Sequence, residues 1–338
     1  MINYPHFEKG ATIGVTAISS GVHAELHDMF KLACERMKAR GFTVICGDTV
    51  WTQDKAKSAP AKLRAAEWNK MMVDDKIDII LPPWGGELLI ESLEYIDFEN
   101  IKNKWVLGYS DVSILLLAIT LKTGIATAHG TNLVDLRGEI WDETTAMWRA
   151  VLSTKSSESV VQHSSPKYQK KWDHANPSAC LFHLTEQTEW KTLSMSNVKM
   201  QGRLLGGCID VIRHLVGTPF GDVENFREKY IKDEPIIWYL ENCELNTTDL
   251  RRSLVQMKLA GWFDQCSGLM FGRSSAETAV DNYSVEDVYK DMSDELNIPI
   301  IYDIDCGHVP PQMTFINGAY AEVELEEGKG TILQTFKP

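Results

Sequence analysis

The longest unbroken apolar stretch in the 338-residue sequence, Ile114 to Ile119, falls far short of the roughly 18 residues that a membrane helix needs, so no membrane partner is expected. Basic residues are in deficit. Lys and Arg number 34 against 47 Asp and Glu, the net charge is −13, and no basic stripe offsets it. That balance argues against a nucleic-acid polymer as partner and against a polybasic membrane anchor. The first ten residues lack both a basic region and an apolar h-region, so no secretory signal is expected and a cytoplasmic protein is. Cysteines are seven, an odd number, widely spaced and without a C-x-x-C. They fit reduced thiols better than a disulfide frame or a zinc site, and no metal is expected. Neither G-x-x-x-x-G-K-[ST] nor a G-x-G-x-x-G after the first strand occurs, so no cofactor is expected either.

What is present is an ordinary globular mixture, 44% apolar and 24% charged, long enough for about two domains. The first 150 residues alternate strand and helix signals. TIGVTA (12–17), FTVIC (42–46), IDIIL (77–81) and WVL (105–107) read as strands, with helical spacing over 24–40, 60–74 and 112–122. Such βα units predict a doubly wound parallel sheet, an α/β fold with ligands beyond the strands' carboxyl ends. The serine-rich stretch 153–165 and the basic cluster 167–171 break the alternation. After about residue 200 the pattern is mixed. IIWYL (236–240), 268–271 and 300–304 read as strands, 247–263 (capped by Thr247 or Thr248) and 284–297 as helices, and the tail as a hairpin. The expected organisation is a first domain over 1–165, a linker or flap over 166–200, and a smaller mixed α/β domain over 201–338.

Four sets of residues could carry chemistry. Ser110 lies in Gly108-Tyr109-Ser110-Asp111-Val112, between a strand and a helix, where a turn lifts a hydroxyl to the sheet's tip beside helix N–H groups. The sequence lacks the last glycine of a G-x-S-x-G elbow, and from these five residues alone a helix-capping serine is the stronger reading. Ser113 is a rival, set inside the helix. Pro82-Pro83-Trp84-Gly85-Gly86 offers close backbone approach and N–H donors, with Trp84 a platform or a packed wedge. For a general base, His308 follows a strand in a glycine- and proline-bounded loop, with His129 as runner-up. For an orienting acid, Glu241 ends the strand IIWYL, with Glu244, Asp249 and Asp305 as alternatives.

Taken in order, GYSD at 108–111, GRLLGG at 202–207, GTP at 217–219, YLEN at 239–242 and CGH at 306–308 resemble the LD-carboxypeptidase family of serine peptidases, which includes the microcin C self-immunity proteins. The resemblance runs from about residue 5 to about 335. It implies a Ser–Glu–His triad of Ser110, Glu241 and His308, with Asn242 where the family usually has aspartate. It implies oxyanion donors at Gly86 and Asp111, and a first half laid out like the class I glutamine amidotransferases, although an amidotransferase would want cysteine where Ser110 stands. It also implies a homodimer and, as substrate, a small peptide: a peptidyl or aminoacyl nucleotide, or alternatively a muropeptide that loses its terminal D-alanine. The Pro-Pro-Trp-Gly-Gly turn and the long 153–200 segment look more like the immunity branch, with Trp84, Gly85 and Trp190 as substrate contacts and Trp190 placed to stack on a base. A non-catalytic small-molecule binding protein is the reading from another class.

Overall fold

Five short apolar strands form the parallel part of the first sheet. The computed structural model describes residues 1–338 apart from 174–175, 194–196, 233 and 277. Strand β1 (Thr12–Val15) is followed by helix α1 (His27–Ala39), β2 (Thr43–Cys46), α2 (Ala61–Val73), β3 (Ile79–Ile80), β4 (Trp105–Gly108), α3 (Ser113–Thr123) and β5 (Thr127–His129). The strands lie parallel in the order β2-β1-β3-β4-β5. The order reverses at β1, so a crevice opens between the loops that leave β1 and β3. Residues of β3, β4 and β5 are buried without exception, which explains why they read as apolar runs with no alternation. Helix α3 is apolar on every side and has nine buried residues, because it is packed on both sheets of the molecule. It ends on Gly124, whose φ of +70° makes the left-handed cap that a side chain would resist.

The second half adds β6 (Ser159–His163), a small ribbon of β7 (Lys167–Tyr168) and β8 (Glu186–Gln187), then β9 (Lys191–Thr192), β10 (Asn197–Cys208) and β11 (Ile236–Glu241). Helix α4 (Thr247–Leu259), β12 (Cys266–Gly272), α5 (Val285–Leu296), β13 (Ile300–Ile304), β14 (Phe315–Asn317), β15 (Tyr320–Glu326) and β16 (Lys329–Thr335) complete it. The second sheet runs β6-β16-β15-β10-β11-β12-β13-β9, parallel from β10 to β13 and antiparallel at both flanks. The fold is thus α/β, with a parallel-dominated first sheet and a separate mixed second one. The cap of α4 is Asn246, one residue earlier than the threonines, its side chain accepting from the Asp249 N–H.

Three details depart from the sequence reading. The serine-rich stretch is not all loop: 159–163 pairs with β16 at the edge of the second sheet, so this part of 1–165 joins the C-terminal layer. Its one buried residue is Gln162, which donates to the Thr314 carbonyl at 2.7 Å, and a polar edge strand of this kind has little apolar signal to read. Among the described residues the second sheet has eight strands and the first six, and two of the eight, β6 and β9, lie wholly before residue 201. Finally, β14 returns to pair antiparallel with β5, so the C-terminal half completes the first sheet. Asn317 at that junction accepts from the Gly206 N–H (3.0 Å) and the Tyr239 hydroxyl (2.8 Å) and donates to Thr127 (3.2 Å), joining the layers through buried polar bonds. No helix among the described residues is long and apolar enough to cross a membrane.

Candidate active site

Ser110 sits at a strained corner. Strand β4 ends at Gly108, Tyr109 is extended, and Ser110 takes φ +64°, a left-handed value uncommon outside glycine, before a single 3₁₀ turn leads into α3. The corner works without the elbow's final glycine, and the Val112 that replaces it is buried. Gly85 is needed opposite: a Cβ there would lie 2.6 Å from both Cβ and Oγ of Ser110 and 3.2 Å from the Asp111 nitrogen. Gly86 has φ +145°, and its Cα faces the hydroxyls of Ser19 and Ser20, which a Cβ would meet at 2.4 and 2.3 Å. The rival serine, Ser113, is fully buried and accepts from the Cys208 N–H at 3.0 Å.

Two segments from the second sheet meet this hydroxyl. His308 Nε2 is 3.1 Å from Ser110 Oγ, and its Nδ1 is 2.9 Å from Glu241 Oε2. Glu241 closes β11 and has no exposure, whereas the His308 side chain keeps 27% of its own. Glycines make room for the pair. Gly307, at φ +96°, passes over Glu241 so closely that a Cβ would fall 2.5 Å from Oε2, and a Cβ on Gly272 would fall 2.2 Å from the Cys306 carbonyl oxygen. This is why glycine precedes the histidine. Burial works to raise the Glu241 carboxyl, yet the adjacent His308 outweighs it and holds the group below its usual range. Burial likewise works to lower His308, but the Glu241 carboxylate and the neighbouring Cys243 side chain together outweigh it and raise the imidazole well above its ordinary value. An oriented hydroxyl–imidazole–carboxylate line can perform nucleophilic acyl transfer.

The alternatives are engaged elsewhere. His129 is wholly buried in β5, and burial pushes it down to about 4, so it is neutral and away from the cleft. Asp305 is a buried hub that accepts from Ser165 N–H (2.9 Å), Trp190 Nε1 (2.9 Å) and Arg273 Nη2 (2.6 Å). Asp249 takes Arg252 at 2.5 Å on α4, and Glu244 is an exposed residue whose backbone N–H donates to Asp210 at 2.8 Å. Asn242 closes a turn with Leu245 through two side-chain bonds, so its departure from the family pattern is absorbed locally.

A cleft of about 360 Å³ opens over Ser110 and His308 at the β1–β3 crevice, lined also by Trp84, Gly85 and Gly86. Trp84 is half-buried and pinned by its Nε1, which donates to the Gly21 carbonyl at 3.1 Å. The Asp111 side chain faces away from any substrate: Oδ2 accepts from Ser19 Oγ (2.5 Å) and the Leu89 N–H (2.8 Å), tying the loops after β1 and β3 to the corner. Trp190 is not a cleft residue. It is 1% exposed in the second core, where β9 and the Gly328–Gly330 turn enclose it and Asp305 takes its N–H, so it cannot stack on a ligand. An exposed tryptophan stands nearer: Trp172 donates to the His308 carbonyl at 2.9 Å. It was missed in the sequence, as were Asn132 and Asp135, which line the cleft after β5 and form a capping box. The rule that ligands gather past strand ends would have pointed to the latter two. Among the described residues, no group of three or more His, Cys, Asp or Glu is arranged to hold a metal.

The model of the LD-carboxypeptidase N-terminal domain matches residues 13–130, and that of the C-terminal domain matches residues 201–323. The chain belongs to the LD-carboxypeptidase family. It is therefore a serine-type carboxypeptidase by family. Microcin C7 self-immunity protein MccF of Escherichia coli is 23% identical over 97% of this chain and 94% of its own. A Bacillus subtilis protein named "Probable murein peptide carboxypeptidase" is 25% identical over 96% and 92%. Among solved structures, MccF in complex with aspartyl sulfamoyl adenosine superposes with a TM-score of 0.84 at 20% identity over the whole of both chains. An MccF-like protein from Streptococcus pneumoniae in complex with AMP does so with a TM-score of 0.77 at 24% identity, over 96% and 99%. These structures share the LD-carboxypeptidase fold seen here.

Proposed function

We propose that this LD-carboxypeptidase hydrolyses an amide bond through a triad of Ser110, His308 and Glu241, and that its substrate is a peptidyl or aminoacyl nucleotide. The observation that carries the reading is the unbroken hydrogen-bonded line from Ser110 Oγ through both ring nitrogens of His308 to Glu241. His308 Nε2 removes the hydroxyl proton as Ser110 Oγ attacks the carbonyl carbon. Glu241 fixes the tautomer and balances the imidazolium, and the N–H groups of Gly86 and Asp111 receive the oxyanion. The tetrahedral intermediate collapses as His308 returns the proton to the leaving nitrogen, giving an acyl-Ser110 and a free amine. Water, deprotonated by His308, then releases the acid and restores Ser110.

The nucleotide reading draws on one relative. MccF, the relative with structures bound to aspartyl sulfamoyl adenosine and glutamyl sulfamoyl guanosine, shares the full length of this fold. The Bacillus relative favours the second reading, release of D-alanine from a murein tetrapeptide. The proposal extends to a homodimer acting in the cytoplasm, which light scattering and cell fractionation would check. Incubation with an aspartyl nucleotide phosphoramidate and with a muropeptide, products read by mass, tests the substrate. Free aspartate and the nucleotide phosphoramidate, absent with Ser110→Ala, are expected. D-alanine from the muropeptide alone would establish the murein reading. Tight binding without cleavage of either would leave a binding protein.

A further inference from the structure

A second cleft, of about 490 Å³, shares no lining residue with the one at Ser110. It lies past β12 and β13, where the loop Arg273–Ser275 leaves one strand and Asp303 stands near the end of the other. The carboxyl ends of parallel strands are where open α/β sheets bind ligands. In this sheet β11 ends on Glu241 of the triad and β13 leads into the loop of His308, while Arg273, Ser274, Ser275 and Asp303 themselves have no part in the acyl-transfer chemistry.

The charge here runs against the rest of the molecule. In a chain of net charge −13, the cleft gathers Lys170, Lys171, Lys191 and Arg273 against Glu189 and Asp303. Two of the four cations form the floor. Lys191 is held by Asp303 at 2.8 Å, and the buried Arg273 is held by Asp305 at 2.6 Å with its guanidinium 4.7 Å over the Tyr168 ring. Lys170 and Lys171 form no ion pair or hydrogen bond among the described residues. Ser274 Oγ accepts from the Ala276 N–H at 3.0 Å, which leaves its proton to donate.

We propose that this cleft is a second binding site, for a phosphoryl group, with Lys170 and Lys171 as its charge partners and the Ser274 and Ser275 hydroxyls as neutral donors. Two unspent ammonium groups match the charge of between one and two that a phosphate monoester carries at neutral pH, and lysine binds phosphate as a point charge. The bound anion would rest against Val309, the residue after His308, and so lie behind the loop that carries the imidazole.

The site does not depend on the acyl-transfer reading, and it is tested in Ser110→Ala protein, where turnover plays no part. Sodium phosphate, pyrophosphate and AMP are titrated by calorimetry at low salt into this protein and into the same protein carrying Lys170→Ala and Lys171→Ala, with circular dichroism to confirm that both are folded. Pyrophosphate is expected to bind at one site, to weaken as salt rises, and to lose at least about tenfold in affinity in the lysine variant. Competition by AMP would show that a nucleotide's phosphate reaches the site, and competition by phosphate alone that the free anion suffices. Absence of phosphate and pyrophosphate binding at millimolar concentration would overturn the proposal, and so would equal affinity in the lysine variant. AMP binding indifferent to both lysines, without pyrophosphate binding, would overturn it too, because it would report the cleft at Ser110.

Discussion

Replacing Glu241 with glutamine keeps the shape of the side chain and removes its charge. In the protein as it stands, Oε2 lies 2.9 Å from His308 Nδ1, and the carboxylate is wholly buried with water excluded from it. Breaking a buried ion pair by neutralising one member costs about 3–5 kcal/mol. His308 retains 27% of its side-chain exposure, so the lower part of that range applies. At about 1.36 kcal/mol per tenfold change in rate, the loss in kcat is expected to be about two to three decades, with up to a decade more if the amide stabilises the wrong tautomer. The pH profile carries a second sign. The carboxylate raises the His308 pKa, and the base works only when neutral, so activity falls as pH drops through that raised value. Without the carboxylate the acid limb moves to lower pH. The assay is kcat against pH with an amide substrate, with circular dichroism to show that the variant is folded. A folded variant that keeps more than about a tenth of kcat would refute the reasoning, as would an acid limb that moves upward.

Gly307→Ala puts a Cβ 2.5 Å from Glu241 Oε2 at a φ of +96°; a loss of about 1–3 kcal/mol in urea unfolding and a disproportionate fall in kcat are expected. His129 is held neutral by burial down to about 4, against 6.5 in the unfolded chain, so between those pH values the unfolded state binds the extra proton. Stability should therefore decline on acidification from 6.5 toward 4, by up to about 1.4 kcal/mol per pH unit, and His129→Gln should flatten that slope in urea titrations.

Much of this was legible in the residues because the physics there is local. A strand, a tight turn and a helix around Ser110 are written between residues 105 and 123, and the buried parallel strands appear as unbroken apolar runs. The partners of Ser110 were harder, since the local settings of His308 and Glu241 rank them first but leave His129 and Asp305 as alternatives. The order of short family motifs separated them, and the structure shows the difference in two ways: His129 is buried whereas His308 meets the cleft, and of the two buried acids Glu241 faces His308 while Asp305 is taken by Ser165, Trp190 and Arg273. Long-range pairing was not readable. Strand β6 hides in a serine-rich stretch because only Gln162 of its five residues is buried, and β14 crosses to the first sheet at a place that no periodicity marks. Trp190 and Trp172 are alike in sequence, and a hydrogen bond to Asp305 draws the first into the core while the second stays exposed by His308. The Lys170–Lys171 pair read as part of a linker because its counterparts, Arg273 and Ser275, lie about a hundred residues further along.

The most direct measurement is intact and peptide mass after treatment with a fluorophosphonate probe. The account expects one adduct per chain, on Ser110, lost in Ser110→Ala and strongly slowed in His308→Ala. An adduct on another residue, or turnover of substrate that persists undiminished in folded Ser110→Ala protein, would contradict it.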